Sequence, residues 1–200
     1  MIRIGLCGSS GSGKGYVCSI FKKYDVEYID TDKVYQKIAV AGSACVNELA
    51  MFFGDEILAA DGTLDKKVLS KKVFEGDNAA QHLKLLNRVT HKYIREDVER
   101  LLAKYESQGV RAAIIDAPVL FESGFDSMCD VTVCVTADRE QKLQRILKRD
   151  KISRHKAEAR IDSQLPDEVL REKCDYEIVN DGTRDLDSEI VSVIKSIGLN

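Results

Sequence analysis

A glycine- and serine-rich run near the start of the sequence is the feature that most limits the folds open to this chain. It reads GSSGSGKG over residues 8–15 and follows the apolar segment Ile2–Cys7, which predicts a short buried strand. The residues after the run predict a helix, because apolar side chains recur at the spacing of one helix face: Val17, Ile20, Phe21 and Tyr24. Strand, glycine loop and helix in this order indicate a phosphate-binding loop, in which backbone N–H groups and the helix N-terminus bind phosphate oxygens.

The run matches the pattern G-x-x-x-x-G-K-[ST] at every fixed position except the last, where this chain has Gly15. Lys14 is expected to reach the β- and γ-phosphates of a nucleotide. The hydroxyl that is missing at position 15 normally contacts Mg²⁺. We therefore expect weaker Mg²⁺ binding, with a water in place of the hydroxyl, because Mg²⁺ retains waters readily. A flexible Gly/Ser turn is the alternative explanation of this run.

Composition narrows the class of protein. A chain of 200 residues with 44% hydrophobic content can bury a sizeable core. Its net charge of −3 argues against a general nucleic-acid or membrane-surface binder. No signal peptide and no apolar run of about 20 residues are visible, so a cytoplasmic protein without a membrane span is expected. The six cysteines lack paired CxxC spacing, which favours reduced thiols over disulfides or a zinc site.

Four further apolar segments predict strands that alternate with helical patterns. They are Val26–Asp30, Ala112–Asp116, Asp130–Thr136 and Tyr176–Asn180. This alternation predicts an α/β fold, a five-stranded parallel sheet of the P-loop NTPase type that is flanked by helices.

One domain over residues 1–200 is predicted, with a helical insert and a lid. The interval between the second and third strands is too long for a single crossover helix, so it is expected to hold several helices that bind an acceptor. The predicted divisions are a core of about residues 1–32, 110–140 and 174–200, an acceptor-binding insert of about 33–109 and a basic lid of about 141–173.

Polar residues at the ends of the predicted strands are expected to converge on the phosphate loop: Asp30, Asp32, Asp116 and Thr136. Asp32 would orient an acceptor hydroxyl and take its proton, or hold Mg²⁺ through water. Its alternative role is the N-cap of a helix over residues 33–40. Asp116 ends a Walker-B-like strand and would also help to hold Mg²⁺, or would only cap the strand.

Residues 139–160 contain nine Lys/Arg against three acidic residues. A solvated helix face usually explains such a run, but beside a phosphate loop these cations would cover a polyphosphate. Arg145 and Arg149 are four residues apart, share a helix face and are predicted to point at the nucleotide. Three lysines of the same run are predicted to face water: Lys142, Lys148 and Lys156.

Taken in order, these elements resemble the dephospho-coenzyme A kinase family, a group of P-loop kinases similar to nucleoside-monophosphate kinases. The resemblance covers nearly the whole chain, and its most specific pieces are the DGTLD run at 61–65, the DAPVLFE run at 116–122 and Arg160-Ile161 followed by Gln164. Further matching elements are Ile29-Asp30-Thr31-Asp32, Phe53-Gly54, Val73-Phe74, His91 with Ile94, Gln141, Arg145, Arg149-Asp150 and Asn180 with Gly182.

The resemblance implies ATP- and Mg²⁺-dependent phosphorylation of the ribose 3′-hydroxyl of dephospho-CoA, the last step of coenzyme A synthesis. It implies catalytic roles for Asp32, Lys14, Arg145 and Arg149, beside the water-mediated Mg²⁺ binding that the strand ends predict for Asp32 and Asp116. The implied ATP-binding residues are Gly8, Ser9, Ser10, Gly11, Ser12, Gly13, Lys14, Gly15, Tyr16, Arg145, Arg149 and Asn180. The implied acceptor-binding residues are Asp32, Leu64, Phe74, His91, Phe121, Arg160 and Gln164.

The chain departs from the family pattern at several positions. Gly15 and Tyr16 stand where the family has Ser or Thr, Ser9-Ser10 where it often has Gly-Ile, and Gln36, Lys66 and Lys92 replace Arg, Arg and Pro. Two alternatives therefore stay open: a P-loop kinase for another small nucleoside or nucleotide acceptor, and a nucleotide-binding protein with impaired catalysis. Taken alone, a histidine such as His91 is more often a surface residue of a helix, and Phe74 and Phe121 fit the alternative of ordinary core residues equally well.

Overall fold

Five strands form one parallel sheet in the computed structural model, which describes residues 1–199. The strands are β1 Ile2–Cys7, β2 Val26–Asp30, β3 Ala112–Asp116, β4 Val131–Thr136 and β5 Tyr176–Val179. Their order across the sheet is β2-β3-β1-β4-β5, so β1 lies at the centre. The predicted five-stranded parallel sheet is confirmed, and only β4 and β5 are one residue shorter than predicted.

Nine α-helices occur in the described part of the chain. They are α1 Lys14–Phe21, α2 Thr31–Ile38, α3 Ala44–Phe53, α4 Lys66–Phe74, α5 Ala79–Ser107, α6 Arg139–Asp150, α7 Arg154–Asp162, α8 Asp167–Lys173 and α9 Leu186–Ser196. None of the helices within residues 1–199 is both long and apolar enough to cross a bilayer. No two of the six cysteines are joined by a disulfide within these residues.

The sheet and two of its helices share one hydrophobic core. Val17 and Phe21 of α1 and Ile190 of α9 are buried in the same cluster as the sheet residues Ile4 and Val133. The predicted apolar face of α1 is wrong at Tyr24, which is 40% exposed. The α-helix ends at Phe21 and the chain then makes a 3₁₀ turn before β2, so the helical spacing no longer applies at that position.

The chain divides into two compact units. One comprises Met1–Ile29 with the chain from Lys104 onward, and the other is Asp30–Ala103. The second unit has its own hydrophobic core, to which α3, α4 and α5 contribute Leu49, Val73 and Val89. It occupies most of the segment for which the sequence predicts an acceptor-binding insert, and that role stays a prediction.

Candidate active site

The phosphate loop connects β1 to α1 and requires its glycines. Gly11 and Gly13 have φ angles of +83° and +96°, which side chains other than glycine rarely adopt. A Cβ at Gly11 would lie 2.5 Å from the carbonyl oxygen of Lys142, and one at Gly13 would lie 2.1 Å from Nδ2 of Asn180. Because neighbouring segments pack this closely against it, the run is a built loop rather than a flexible turn.

Two side chains hold the backbone carbonyls of this loop. The Arg145 guanidinium donates to the carbonyl oxygens of Gly11 (3.1 Å), Ser12 (3.2 Å) and Asn180 (3.0 Å). The Asn180 side-chain amide also donates to the Ser12 carbonyl, at 2.8 Å. In a planar trans peptide the N–H points opposite to the C=O, so these bonds direct the Gly13 N–H toward the other side of the loop. Arg145 is thus a clamp on the loop, and its contact with a nucleotide stays a prediction.

Lys14 lies across the loop that it follows. Its Nζ donates to the carbonyl oxygen of Gly8 at 2.8 Å, and its side chain is partly buried. Gly15 is the second residue of α1 and is exposed, and a Cβ built there meets no atom within 4 Å. Packing therefore does not explain the glycine at position 15, and a serine fits there without rearrangement.

The two carboxylates at the junction of β2 and α2 have separate roles. Asp30 is the N-cap of α2, because its Oδ1 accepts a hydrogen bond from the Lys33 N–H at 3.0 Å. Asp32 lies in the first turn of α2 with an exposed side chain, so the alternative that Asp32 caps a helix over residues 33–40 is wrong. The positive end of the helix dipole favours a negative charge at this position.

Asp116 and Thr136 lie at the carboxyl edge of the sheet, beside the start of the loop. The register pairs Asp116 with Leu6 of β1, and Cys134 of β4 with Cys7. Oδ2 of Asp116 accepts a hydrogen bond from the Tyr28 hydroxyl at 2.7 Å, which fixes the carboxylate at the end of β3. For these two residues the predicted convergence on the loop follows from the observed register.

Within the described residues, five of the nine cations of the basic run form ion pairs. Its pairs are Arg139–Asp162, Lys142–Asp167, Arg149–Asp150, Arg154–Glu140, Arg154–Glu158 and Arg160–Asp150. A count of charges along the sequence therefore overstates the positive charge that this segment presents. Lys148 and Lys156 are exposed, as predicted.

Asp150 bridges two arginines for which different roles are predicted. Arg149 donates to Asp150 through Nε at 2.7 Å, and Arg160 bonds the other carboxylate oxygen. The Arg149 hydrogen bond, followed by that from Arg160, lowers the pKa of Asp150 to about 2. Nη2 of Arg149 also approaches the Ser10 hydroxyl at 3.4 Å. Asp150 is therefore ionised, and carries the negative charge that pairs with both arginines, at any pH above the acidic range.

The prediction that Lys142 faces water is wrong. Lys142 is buried, and its Nζ lies 2.9 Å from Oδ2 of Asp167 and 3.1 Å from the Ser9 hydroxyl. One sign of this burial is present in the sequence: Lys142 lies four residues before the apolar Ile146, and this spacing places both side chains on one face of α6. Its partner Asp167 lies 25 residues further along the chain, and no local pattern identifies it.

The predicted acceptor residues divide between the two units. Leu64 pairs with Leu58 in an isolated antiparallel bridge and packs on the core of the Asp30–Ala103 unit. Phe74, in the same unit, is 62% exposed, so the alternative that it is a core residue is wrong. His91 lies on α5 and is partly buried.

The remaining predicted acceptor residues lie in the other unit. Phe121 is also only partly buried, with Nζ of Lys173 5.2 Å from its ring centre, whereas Phe125 nearby is a core residue. Oε1 of Gln164 accepts a hydrogen bond from the Ser10 N–H at 2.7 Å, so the segment after α7 reaches the phosphate loop. The sequence alone does not predict this contact.

The partial burial of His91 is expected to make the free energy of unfolding depend on pH. Desolvation, followed by the positive charge of Arg95, lowers the pKa of His91 from 6.5. His91 therefore binds a proton more readily in the unfolded chain than in the folded one. Because of this difference, the free energy of unfolding is expected to fall as pH drops below about 6.5.

Urea denaturation at pH 7.5 and pH 5.5 measures this effect. The variant His91→Gln should lose less stability between the two pH values than the wild type, whereas the variant His155→Gln, at an exposed histidine, should lose as much as the wild type. An equal loss in the wild type and in His91→Gln would contradict the prediction.

Comparisons with a family model, with sequence relatives and with solved structures indicate the same protein family. The family model for dephospho-CoA kinase matches residues 2–185 of the chain. A dephospho-CoA kinase of Corynebacterium glutamicum is 35% identical over 198 residues, which cover 98% of this chain and 100% of that protein. The solved dephospho-CoA kinase from Campylobacter jejuni is 27% identical with a TM-score of 0.67, and the match covers 98% of this chain and 96% of that one.

A solved protein from Thermus thermophilus has a TM-score of 0.83 at 25% identity, with 98% of this chain and 97% of that chain covered. The family model and the curated relative each extend over both units and include the phosphate loop, the Ile29–Asp32 element and α6. They confirm the resemblance that the ordered sequence elements indicated. The chain belongs to the dephospho-CoA kinase family.

Proposed function

We propose that this chain transfers the γ-phosphoryl group of ATP to the ribose 3′-hydroxyl of dephospho-CoA and releases coenzyme A and ADP. Family membership makes it an ATP-dependent transferase. The observation that carries the proposal is the phosphate loop, whose carbonyls are held by Arg145 and Asn180 while the Gly13 N–H points away from them. Backbone N–H groups fixed in this way at a helix N-terminus suit a polyphosphate.

In this proposal the residues around the loop bind and shield the phosphates. Lys14 exchanges its hydrogen bond to the Gly8 carbonyl for the β- and γ-phosphates. Arg149, next to Ser10, covers the transferring group, and Arg145 keeps the loop in shape while it borders the nucleotide. Phosphoryl transfer through a loose transition state needs positioning and charge stabilisation more than covalent chemistry, which these residues supply.

We assign the acceptor hydroxyl to Asp32, with Leu64, Phe74, His91, Phe121, Arg160 and Gln164 as the residues that bind the rest of dephospho-CoA. An exposed carboxylate in the first turn of a helix can accept a hydrogen bond from the hydroxyl and orient it. A carboxylate is a weak base at neutral pH, so its main contribution is orientation, and it takes the proton as transfer proceeds.

Mg²⁺ fits this site as an ion that is bound mainly by the phosphates of the nucleotide. The described residues contain no cluster of three or more Cys, His, Asp or Glu side chains that would hold a metal. Mg²⁺ is usually bound by one or two carboxylates together with phosphates and waters, which fits Asp32 and Asp116 as its protein partners. When bound, the ion neutralises charge on the β- and γ-phosphates.

The direct test incubates the protein with ATP and dephospho-CoA, with and without Mg²⁺, and quantifies coenzyme A. We expect coenzyme A and ADP in equal amounts in the presence of Mg²⁺. ATP binding without coenzyme A at high protein concentration would contradict the proposal and favour a nucleotide-binding protein. Faster turnover of another nucleoside acceptor would favour a kinase of different specificity.

Gly15→Ser is expected to lower the Mg²⁺ concentration that gives half-maximal turnover, because serine restores the hydroxyl that normally contacts the ion. The substitution fits without a clash. Titration of activity with Mg²⁺ measures the change. Gly15→Ala is the matched control, because alanine also favours the helix over glycine but adds no hydroxyl. Equal Mg²⁺ dependence in the serine and alanine variants would show that the site does not use this hydroxyl.

We also propose that the protein acts in the cytoplasm, on two small-molecule substrates and without a nucleic-acid or membrane partner. Six cysteines outside any disulfide fit a reducing compartment. The net charge of −3 gives no general attraction to nucleic acid or anionic lipid. Cell fractionation with an antibody against the protein tests the location.

A further inference from the structure

A buried triangle of polar side chains lies directly behind the phosphate loop. Nζ of Lys142 is 2.9 Å from Oδ2 of Asp167, and the side chains of this pair are only 7% and 10% exposed. Lys142 also donates to the Ser9 hydroxyl at 3.1 Å, and that hydroxyl donates to Oδ1 of Asp167 at 3.1 Å. The triangle joins three separate segments: the phosphate loop, α6 and the start of α8.

Stability alone does not account for a buried ion pair. Removing two charges from water costs several kcal/mol per ion, and apolar residues of similar volume often stabilise a fold equally well or better. Removing one partner, in contrast, leaves an uncompensated charge and a disturbed structure. The location of the pair therefore says more about its role than its contribution to stability does. Both members of the pair bond Ser9 of the phosphate loop.

Two further contacts hold the residues that follow Ser9. The Ser10 N–H donates to Gln164, which lies just before α8. Gly11 packs so closely on the Lys142 backbone that a Cβ there would lie 2.5 Å from its carbonyl oxygen. Three consecutive loop residues thus rest on α6 and on the segment that leads into α8, and the ion pair bonds the first of them.

We propose that Lys142 and Asp167 are positioning residues for the nucleotide. They fix Ser9, and through it the first half of the phosphate loop, in the shape that binds phosphates. The pair has no net charge, so its effect on ATP is geometric and does not come from attraction of Lys142 to phosphate. This inference rests on the proposed function, which assigns the loop to ATP.

Two substitutions test the proposal, because they change the charge in opposite directions but are expected to have the same effect on ATP binding. Lys142→Met removes a positive charge and Asp167→Asn removes a negative one, yet each is expected to weaken binding of a fluorescent ATP analogue about tenfold. The double variant should bind ATP no more weakly than whichever single variant has the lower affinity, because the two substitutions break the same interaction. KM for dephospho-CoA should change less than about twofold throughout, because Ser9, Lys142 and Asp167 are not among the residues assigned to the acceptor.

Two further variants and a stability measurement complete the design. Lys148→Met removes an exposed lysine of the same helix and should leave ATP affinity within about twofold of wild type, because the charge is screened by solvent. Ser9→Ala keeps the ion pair and should still weaken ATP binding about threefold, even if the buried-charge variants fold poorly. Circular dichroism at the assay temperature confirms that each variant is folded.

Four outcomes would overturn the inference. Opposite shifts in ATP affinity for Lys142→Met and Asp167→Asn would mean that charge, not geometry, is what matters. A lowered melting temperature with unchanged ATP affinity would mean a purely structural pair, and unchanged affinity in Ser9→Ala would break the link to the loop. A wild-type protein that binds no ATP would overturn the proposed function together with this inference, whereas the other outcomes leave that function intact.

Discussion

Replacing Asp32 with asparagine is expected to lower kcat by about a thousandfold, within the range found for loss of a positioned acid–base group. ATP affinity should stay within about twofold of wild type, because the phosphate loop is untouched. The fold should also survive, since Asp30 and not Asp32 caps α2 and the Asp32 side chain is exposed.

Steady-state kinetics together with binding of a fluorescent ATP analogue measure both parts of this prediction. Glu27→Gln, which removes an exposed carboxylate from the preceding strand β2, is the matched control and should keep wild-type kcat. If Asp32→Asn retained kcat within tenfold of the wild type, the assignment of the acceptor hydroxyl to Asp32 would be wrong.

Gly11→Ala is expected to weaken ATP binding at least about a hundredfold, which corresponds to about 2.7 kcal/mol. At a φ of +83° an alanine is strained, and its Cβ would lie 2.5 Å from the Lys142 carbonyl oxygen and 2.9 Å from the Lys142 Cα. The three nearest atoms that it would meet belong to the backbone of Lys142 in α6, so no flexible side chain can move aside and the loop itself must shift.

Gly15→Ala provides the contrast in the same motif. Gly15 is helical and its Cβ position is open, so this variant should bind ATP as the wild type does and melt at a slightly higher temperature. Calorimetric ATP titrations and thermal melts of both variants give the comparison. Equal ATP affinity in Gly11→Ala and wild type would contradict the view that this loop geometry binds the phosphates.

The sheet could be predicted from the sequence because its signals are local. Short runs of Ile, Val and Ala between polar turns mark each strand, and three of the five strands have the predicted limits. The phosphate loop is similarly local, since its glycines, Lys14 and the flanking elements are contiguous in the chain. The resemblance to a family then supplied an order of elements that the family model confirmed.

The errors arose where a side chain's environment depends on distant segments. The burial of Lys142 depends on Asp167 and on the loop residue Ser9, and neither contact leaves a trace in the sequence around position 142. The charge of the basic run was overestimated for the same reason, because partners such as Asp162 lie outside it. The N-cap of α2 is Asp30 because the strand passes directly into the helix, and the hydrophobic pattern does not resolve that boundary.

The central claim is that this phosphate loop holds ATP for transfer to a ribose hydroxyl. ATP labelled in its γ-phosphoryl group, incubated with dephospho-CoA and Mg²⁺ and followed by mass spectrometry of the products, tests this claim most directly. We expect one labelled phosphate on the 3′-position of coenzyme A for each ADP formed, and no labelled coenzyme A with Lys14→Met. Label released only as inorganic phosphate, or equal transfer by Lys14→Met, would contradict it.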